Sequence, residues 1–197
     1  MSGPAPGFVH GYVLAGGLSL RMGRDKALLE WDGATLLRRA YDLLVSVCGA
    51  ATVVGPAERY ASLNLPLIAD LRGGCGPLGG LEAALTDCVG KAEWAFMVAC
   101  DMPALDASAL EQLVEQSRLH SGSQAILPLS PSGREEPLCA LYRPEALPVV
   151  RKQLDTGDFK LMHAIAALPV HRLQLDHPRH FLNINQPEDW EALHARR

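Results

Sequence analysis

The sequence lacks the features that mark several large classes of protein. It has no excess of positive charge, since 18 Lys and Arg stand against 22 Asp and Glu, for a formal net charge of −4. This balance argues against a protein that holds nucleic acid on a broad basic surface. The longest apolar runs, such as residues 94–100, are far shorter than the roughly 20 residues of a membrane-spanning helix. We therefore expect neither nucleic acid nor a membrane as a partner.

Cysteine is scarce and follows no known pattern. The five cysteines form an odd set without a C-x-x-C pair, which favours neither a disulfide framework nor a structural zinc site. The first seven residues are rich in glycine and proline, and they lack the basic start and apolar core of a secretory signal. We expect a flexible stretch over residues 1–7 and a cytoplasmic protein.

The residues that are present are typical of one folded domain with alternating strands and helices. Hydrophobic residues make up 48% and charged residues 20% of the 197 positions, which is near the average for globular proteins. Periodicity predicts strands at residues 11–15, 51–54, 65–69, 94–100, 125–128 and 137–142. It predicts helices at residues 34–48, 78–89, 144–154 and 187–195, with a further helix that Asp106 caps and that runs to residue 120.

This alternation predicts a mostly parallel sheet covered by helices on both faces. The run at residues 94–100 is apolar on both faces, as a central parallel strand should be. Ligands of such sheets bind outside the carboxyl ends of the strands. We therefore expect the chemistry to lie at those ends.

A glycine-rich and basic segment, VLAGGLSLRMGRDKALLEW, occupies residues 13–31, at the end of the first predicted strand. Gly16 and Gly17 would let successive backbone N–H groups turn toward a phosphate, and Arg21, Arg24 and Lys26 would add positive charge. A tight turn with a solvated basic loop is the alternative. Neither G-x-x-x-x-G-K-[ST] nor G-x-G-x-x-G fits the spacing, which argues against an ordinary NTPase and a dinucleotide dehydrogenase.

Residues 14–28 carry the pattern L-A-G-G-x-S-x-R-M-G-x-D-K-A-L, which closely resembles the signature loop of the molybdenum cofactor guanylyltransferases, the MobA-type nucleotidyltransferases. Three further segments resemble the family in the same order. They are IADLRGGCGPLGGLEAAL at 68–85, VACDMPAL at 98–105 and FLNINQPEDW at 181–190. The resemblance implies a Rossmann-like three-layer α/β/α fold and a single nucleotidyltransferase domain over residues 1–197. It implies an enzyme that transfers GMP from GTP to molybdopterin and releases pyrophosphate.

Metal binding is predicted at Asp101, which ends a very apolar strand. An isolated buried carboxylate there would be costly unless it were paired or bound to a metal, and a hard oxygen ligand suits Mg²⁺. A helix or turn cap is the alternative. The resemblance makes Asp101 the Mg²⁺ ligand and Lys26 a nucleotide contact. It makes Arg21, Lys26 and Asp101 our candidate catalytic residues.

The resemblance also assigns the nucleotide-binding residues. Leu14, Ala15, Gly16 and Gly17 would hold the base and ribose through backbone groups, and the double glycine favours guanine because the related cytidylyltransferases usually have A-A-G there. Asp70 would contact the guanosine, with a turn as the alternative. The last candidate for nucleotide binding is Asn185, which resembles the family asparagine near the metal and phosphates.

One position departs from the family pattern. Members commonly have an asparagine after the second strand, whereas this chain has Gly55 and Pro56. Base recognition would then rely more on backbone groups. A CTP-dependent molybdopterin cytidylyltransferase or another MobA-like nucleotidyltransferase therefore stays an alternative, as do a noncatalytic nucleotide-binding carrier and an NAD-dependent oxidoreductase.

The implied partners are GTP and molybdopterin, with or without molybdenum. Other cofactor-biosynthesis proteins and molybdoenzymes are further implied partners. Four basic residues could contact the anionic phosphate of the pterin, namely Arg143, Arg151, Lys152 and Lys160. Solvated surface charge is the alternative for each of them.

Overall fold

The computed structural model describes residues 7–16, 25–176, 180–184 and 186–194. Its strands are β1 (Gly7–Leu14), β2 (Glu30–Trp31), β3 (Ala34–Thr35), β4 (Ala51–Val54), β5 (Leu67–Ile68), β6 (Ala92–Ala99), β7 (Ala125–Leu129), β8 (Cys139–Tyr142) and β9 (Val170–Gln174). Its α-helices are α1 (Leu36–Cys48), α2 (Ala57–Tyr60), α3 (Gly76–Cys88), α4 (Ala107–Leu119), α5 (Leu147–Asp155), α6 (Leu161–Ile165) and α7 (Pro187–His194).

Three short 3-10 helices complete the elements among these residues. They lie at Lys26–Leu28, Ala61–Leu63 and Pro144–Ala146. The first of them carries a predicted site residue, and the last occupies the start of the helix predicted at residues 144–154. Apart from Gly7, which opens β1, the stretch predicted to be flexible lies outside the described residues.

Seven strands form one sheet in the order β5-β4-β1-β6-β8-β7-β9. Every neighbouring pair is parallel except those that include β8, which runs antiparallel to both β6 and β7. The prediction of a mostly parallel sheet is confirmed. Strand order reverses at β1, because β4 pairs with one edge of it and β6 with the other, and ligands of such sheets bind at a reversal of this kind.

Helices cover both faces of the sheet and make the three-layer arrangement. Alternate residues of β6 point to opposite faces, so that Trp94 and Phe96 join the core on the side of α1 and α4. Met97 joins the core on the side of α3 and α5. All three side chains are fully buried, and burial of a large apolar side chain contributes about 1.5–3 kcal/mol. Strand β6 is thus the apolar centre that the sequence predicted.

Some elements were not predicted. Strand β9 pairs with β7 at the edge of the sheet, and its side chains are only partly buried or exposed. Strands β2 and β3 form a two-residue antiparallel ladder, and α2 and α6 are only four and five residues long. The predicted cap of α4 is confirmed, since the Asp106 carboxylate accepts from the backbone N–H of Ala109 at 3.0 Å. Within the described ranges, no helix is both long and apolar enough to cross a bilayer.

Candidate active site

Three neighbouring parallel strands end at the same level and bring the candidate residues together. Leu14, the last residue of β1, is in register with Val54 at the end of β4 and with Ala99 at the end of β6. The residues that follow these strands therefore meet at one edge of the sheet. They include Ala15 and Asp101.

A cleft of about 510 Å³ opens at this edge. Its lining contains every candidate catalytic, metal-binding or nucleotide-binding residue that falls within the described part of the chain, namely Leu14, Ala15, Gly16, Lys26, Asp70 and Asp101. These residues come from segments that lie as much as 87 positions apart in the sequence. The carboxyl edge of the sheet is thus the place where the predicted chemistry can occur.

Gly16 needs to be glycine for two reasons. Its φ of +112° lies in a region that other residues rarely adopt. A Cβ atom at this position would also stand 2.7 Å from Cδ of Pro56. The backbone after β1 is therefore packed against the turn after β4, and it remains open toward the cleft.

Lys26 and Asp101 lie side by side in the cleft. The ammonium nitrogen of Lys26 lies 3.7 Å from Oδ2 of Asp101, and the side chains are 17% and 23% exposed. Both groups can thus be reached from the cleft while they are partly shielded from bulk water. Such shielding strengthens their interaction with an anion or a cation.

Burial dominates the electrostatics of Asp101. Desolvation raises the pKa of its carboxyl, and the Lys26 ammonium opposes this rise. Its backbone carbonyl accepts from the N–H of Ile184 at 3.0 Å, which fixes the C-terminal segment beside the site. The result is an aspartate held at the edge of a buried strand with one cation beside it.

Asp101 fits the role of a magnesium ligand. Within the described ranges no group of three or more His, Cys, Asp or Glu side chains could hold a metal by itself. Mg²⁺ commonly takes only one or two protein carboxylates and completes its shell with substrate phosphates and water. A single cleft-facing carboxylate agrees with that kind of site.

Asp70 lies in the loop after β5 and lines the same cleft. Its side chain is exposed, yet partial desolvation by the surrounding walls raises the pKa of its carboxyl. We treat this effect as small because the side chain remains open to solvent. The carboxylate is available to accept hydrogen bonds from a ligand.

The loop that carries Asp70 is anchored through Arg72. Nε of Arg72 lies 3.1 Å from Oε2 of Glu82, and its Nη1 lies 2.6 Å from Oδ1 of Asp155. Glu82 is only 2% exposed and also pairs with Arg151, at 3.2 Å. A buried carboxylate of α3 thus connects the cleft loop to α5.

Helix α3 begins at Gly76, two residues before the start that the sequence predicts. Gly76 and Pro77 open the helix and line the cleft. Within the described part of the chain, no side chain caps this end. Pro77 has no N–H, and the N–H of Gly79 donates to the carbonyl of Cys75 at 3.4 Å, so an anion at this helix start would contact the N–H groups of Gly76 and Leu78. Proline in the first turn was the available signal.

Two of the four basic residues suggested for the pterin phosphate have contacts within the protein. The guanidinium of Arg143 stacks over the ring of Trp94 at 4.4 Å, and Arg151 is paired with Glu82. Four other residues that the sequence pointed to, Gly17, Arg21, Arg24 and Asn185, lie outside the described residues.

Comparison with known proteins agrees with this geometry. Residues 11–173 match the family model of the MobA-like NTP transferase domain. The chain is 34% identical over 188 residues to a "Probable molybdenum cofactor guanylyltransferase" of Synechococcus elongatus, with 92% of this chain and 95% of the relative covered. It is 32% identical, with 92% of each chain covered, to a protein of the same name from Carboxydothermus hydrogenoformans.

A solved structure shares the fold. The molybdopterin-guanine dinucleotide biosynthesis protein A of Archaeoglobus fulgidus superposes with a TM-score of 0.79 at 24% identity, and the match covers 95% of this chain and all of the other. The Rossmann-like three-layer fold implied by the sequence is therefore confirmed. Together with the family match over most of its length, this shows that the chain belongs to the family of MobA-like NTP transferase domains.

Proposed function

We propose that this chain is a single nucleotidyltransferase domain that transfers GMP from GTP to molybdopterin and releases pyrophosphate. One observation carries the proposal: Lys26 and Asp101, from two distant motifs, lie 3.7 Å apart in one cleft with the backbone of residues 14–16 and with Asp70. The names of the relatives from Synechococcus and Carboxydothermus support guanylyl transfer as the activity.

In the proposed reaction an oxygen of the terminal phosphate of molybdopterin attacks the α-phosphorus of GTP. A new P–O bond forms there, and the bond from the α-phosphorus to the oxygen that bridges to the β-phosphate breaks. Pyrophosphate leaves with that electron pair. The protein needs little covalent chemistry of its own, and its task is to align two anions and offset their charge.

Each residue has a distinct task in this proposal. The Lys26 ammonium neutralises charge on the phosphates, and the N–H groups at the start of α3 offer further positive potential. Asp101 would hold Mg²⁺, which supplies additional positive charge to the phosphates when it is bound. Asp70 would accept hydrogen bonds from the guanosine.

Backbone groups would recognise the base. The turn after β4 contains Gly55 and Pro56 in place of an amide side chain, and Pro56 packs against Gly16. On the facing side, the backbone N–H of Ala15 donates to the carbonyl of Val54 at 2.8 Å, which holds the chain after β1 against this turn. Guanine selection would thus depend on the path of the backbone through Ala15 and Gly16.

The direct test is an assay with purified protein, molybdopterin, Mg²⁺ and each nucleoside triphosphate in turn. We expect pyrophosphate and the guanine dinucleotide with GTP. Faster turnover with CTP would show that the activity is cytidylyl transfer and not guanylyl transfer. Binding of GTP without pyrophosphate release would instead indicate a noncatalytic carrier.

A further inference from the structure

Asp25, the residue before Lys26, has a carboxylate that accepts two hydrogen bonds and lies beside one guanidinium group. Oδ1 of Asp25 accepts from the backbone N–H of Ala27 at 3.0 Å and caps the one-turn helix Lys26–Leu28. Its Oδ2 accepts from the hydroxyl of Tyr60 at 2.9 Å. Nη1 of Arg59 lies 3.7 Å from the same oxygen. The carboxylate therefore joins the lysine segment to α2.

Tyr60 is a rigid anchor for this contact. It is 1% exposed, and a Cβ atom on Gly55 would stand 3.0 Å from Cε2 of its ring and 2.7 Å from the carbonyl oxygen of Ala15. The ring is thus packed closely against the turn after β4. Burial raises the pKa of Tyr60 above its ordinary value. The hydroxyl therefore stays protonated and donates a hydrogen bond to Asp25.

The segment that carries Lys26 needs such an anchor. A helix of one turn has little stability of its own, because nucleation fixes several dihedral angles for each hydrogen bond gained. Its conformation must come from the groups that hold its ends. At its start those groups are the Asp25 carboxylate and, behind it, Tyr60.

We propose that Tyr60 is a positioning residue for nucleotidyl transfer: through Asp25 it fixes the one-turn helix that holds the Lys26 ammonium beside Asp101. Tyr60 does not line the cleft and acts only through its neighbours. The inference rests on the proposed function in one respect, since it takes Lys26 to be a phosphate contact.

The chain offers a closely matched control for this role. Tyr12 is also fully buried, and its hydroxyl donates to an aspartate, Oδ2 of Asp87, at the same distance of 2.9 Å. Asp87 lies near the end of α3, about 16 Å along the helix from its cleft-lining start at Gly76. Replacing each tyrosine by phenylalanine removes the same kind of hydrogen bond, near the cleft in one variant and far from it in the other.

The experiment compares Tyr60→Phe with Tyr12→Phe in unfolding, in calorimetric binding of Mg²⁺ and GTP, and in turnover with molybdopterin. We expect similar losses of stability in the two variants. Only Tyr60→Phe should lower kcat/KM for GTP and weaken GTP binding, by about tenfold, with the KM for molybdopterin unchanged. If Tyr60→Phe folds poorly, Asp25→Asn serves as the second variant, and we expect the same pattern from it.

A double-mutant cycle tests whether the effect passes through the lysine. In a Lys26→Gln background, Tyr60→Phe should change kcat/KM less than about twofold, because the group that it positions is gone. Equal effects of Tyr60→Phe and Tyr12→Phe on GTP, or an undiminished effect in the Lys26→Gln background, would overturn the inference. A Lys26→Gln enzyme of normal activity would instead refute the proposed function's use of Lys26.

Discussion

Nζ of Lys26 lies 3.7 Å from Oδ2 of Asp101, although 75 positions separate the two residues in the sequence. Strand β6 brings the aspartate to the carboxyl edge of the sheet, and the short helix after β1 brings the lysine to the same place. Two opposite charges are thereby set close enough to serve one triphosphate and one divalent cation. The first three predictions concern this pair.

Replacing Lys26 with glutamine should lower kcat/KM for GTP by about 100-fold or more, because a preorganised positive group would no longer face the phosphates. The measurement is initial-rate kinetics of pyrophosphate release. Lys91→Gln is the control, since Lys91 also pairs with an aspartate, Asp87, at 2.6 Å. Lys91 precedes strand β6 and Asp101 follows it. The length of the strand, about 26 Å, therefore separates Lys91 from the cleft. A comparable loss in both variants would contradict a specific role for Lys26.

Replacing Asp101 with asparagine should abolish activity and yet stabilise the fold at neutral pH. The folded protein holds this carboxyl at a pKa above the 3.8 that it has when unfolded. The folded state thus binds more protons in the window above pH 3.8, and ionisation of Asp101 lowers stability as the pH rises through that window. Asparagine removes this penalty, so we expect the free energy of unfolding to increase. Urea unfolding at pH 7 measures it.

The control for that variant is Asp87→Asn. Asp87 has an ion pair with Lys91 and accepts from Tyr12, so its loss should lower stability and leave turnover unchanged. An Asp101→Asn protein that remains active would remove Asp101 from the reaction. One that is inactive and clearly less stable would show that the carboxylate has a structural role.

The pH dependence of kcat/KM should shift when Lys26 is replaced. Asp101 must be ionised to hold a cation, so activity falls as the pH drops through its pKa. Lys26 lowers that pKa, and its removal should therefore move the acid limb of the profile to higher pH. The residual activity of Lys26→Gln, followed between pH 4 and 8, checks this shift. An unchanged limb would mean that another group controls it.

Stability should depend on the carboxylate of Glu82. Glu82→Gln leaves Arg72 and Arg151 without their shared buried partner, and we expect a loss of about 1–3 kcal/mol. Asp155→Asn removes only the exposed partner of Arg72 and should cost less than about 1 kcal/mol. Urea unfolding of both variants gives the comparison. Equal losses would mean that burial of Glu82 has no particular importance.

Much of the fold could be predicted because its signals are local. The apolar run of β6 and the cap at Asp106 both identify elements without any knowledge of distant contacts. Strand β9 was not predicted, because its sequence, VHRLQ, is largely polar. The strand lies at the edge of the sheet, where polar side chains are tolerated. The predicted start of helix α3 lies two residues after the observed one, because Gly76 at the first position of the helix is a poor helix former.

The site was predictable only where a motif contained its residues. Resemblance to the family, which the comparisons confirm, pointed to Lys26, Asp70 and Asp101, and the structure places all three on one cleft. Their roles stay predictions. The hydrogen bond from Tyr60 to Asp25 joins residues 35 positions apart, and local sequence carries no signal for such a pair.

The reversed direction of β8 decides how the far side of the cleft is built. Because β7 ends and β8 begins at the carboxyl edge of the sheet, the intervening residues 130–138 form a hairpin-like projection there, and its last residue, Leu138, lines the cleft. This projection could lengthen or shorten without any change in strand order, in the register of β1 with β6, or in the spacing of Lys26 and Asp101. The wall of the cleft at Leu138 can therefore be remodelled by insertion while the part that holds Lys26 and Asp101 is left as it is.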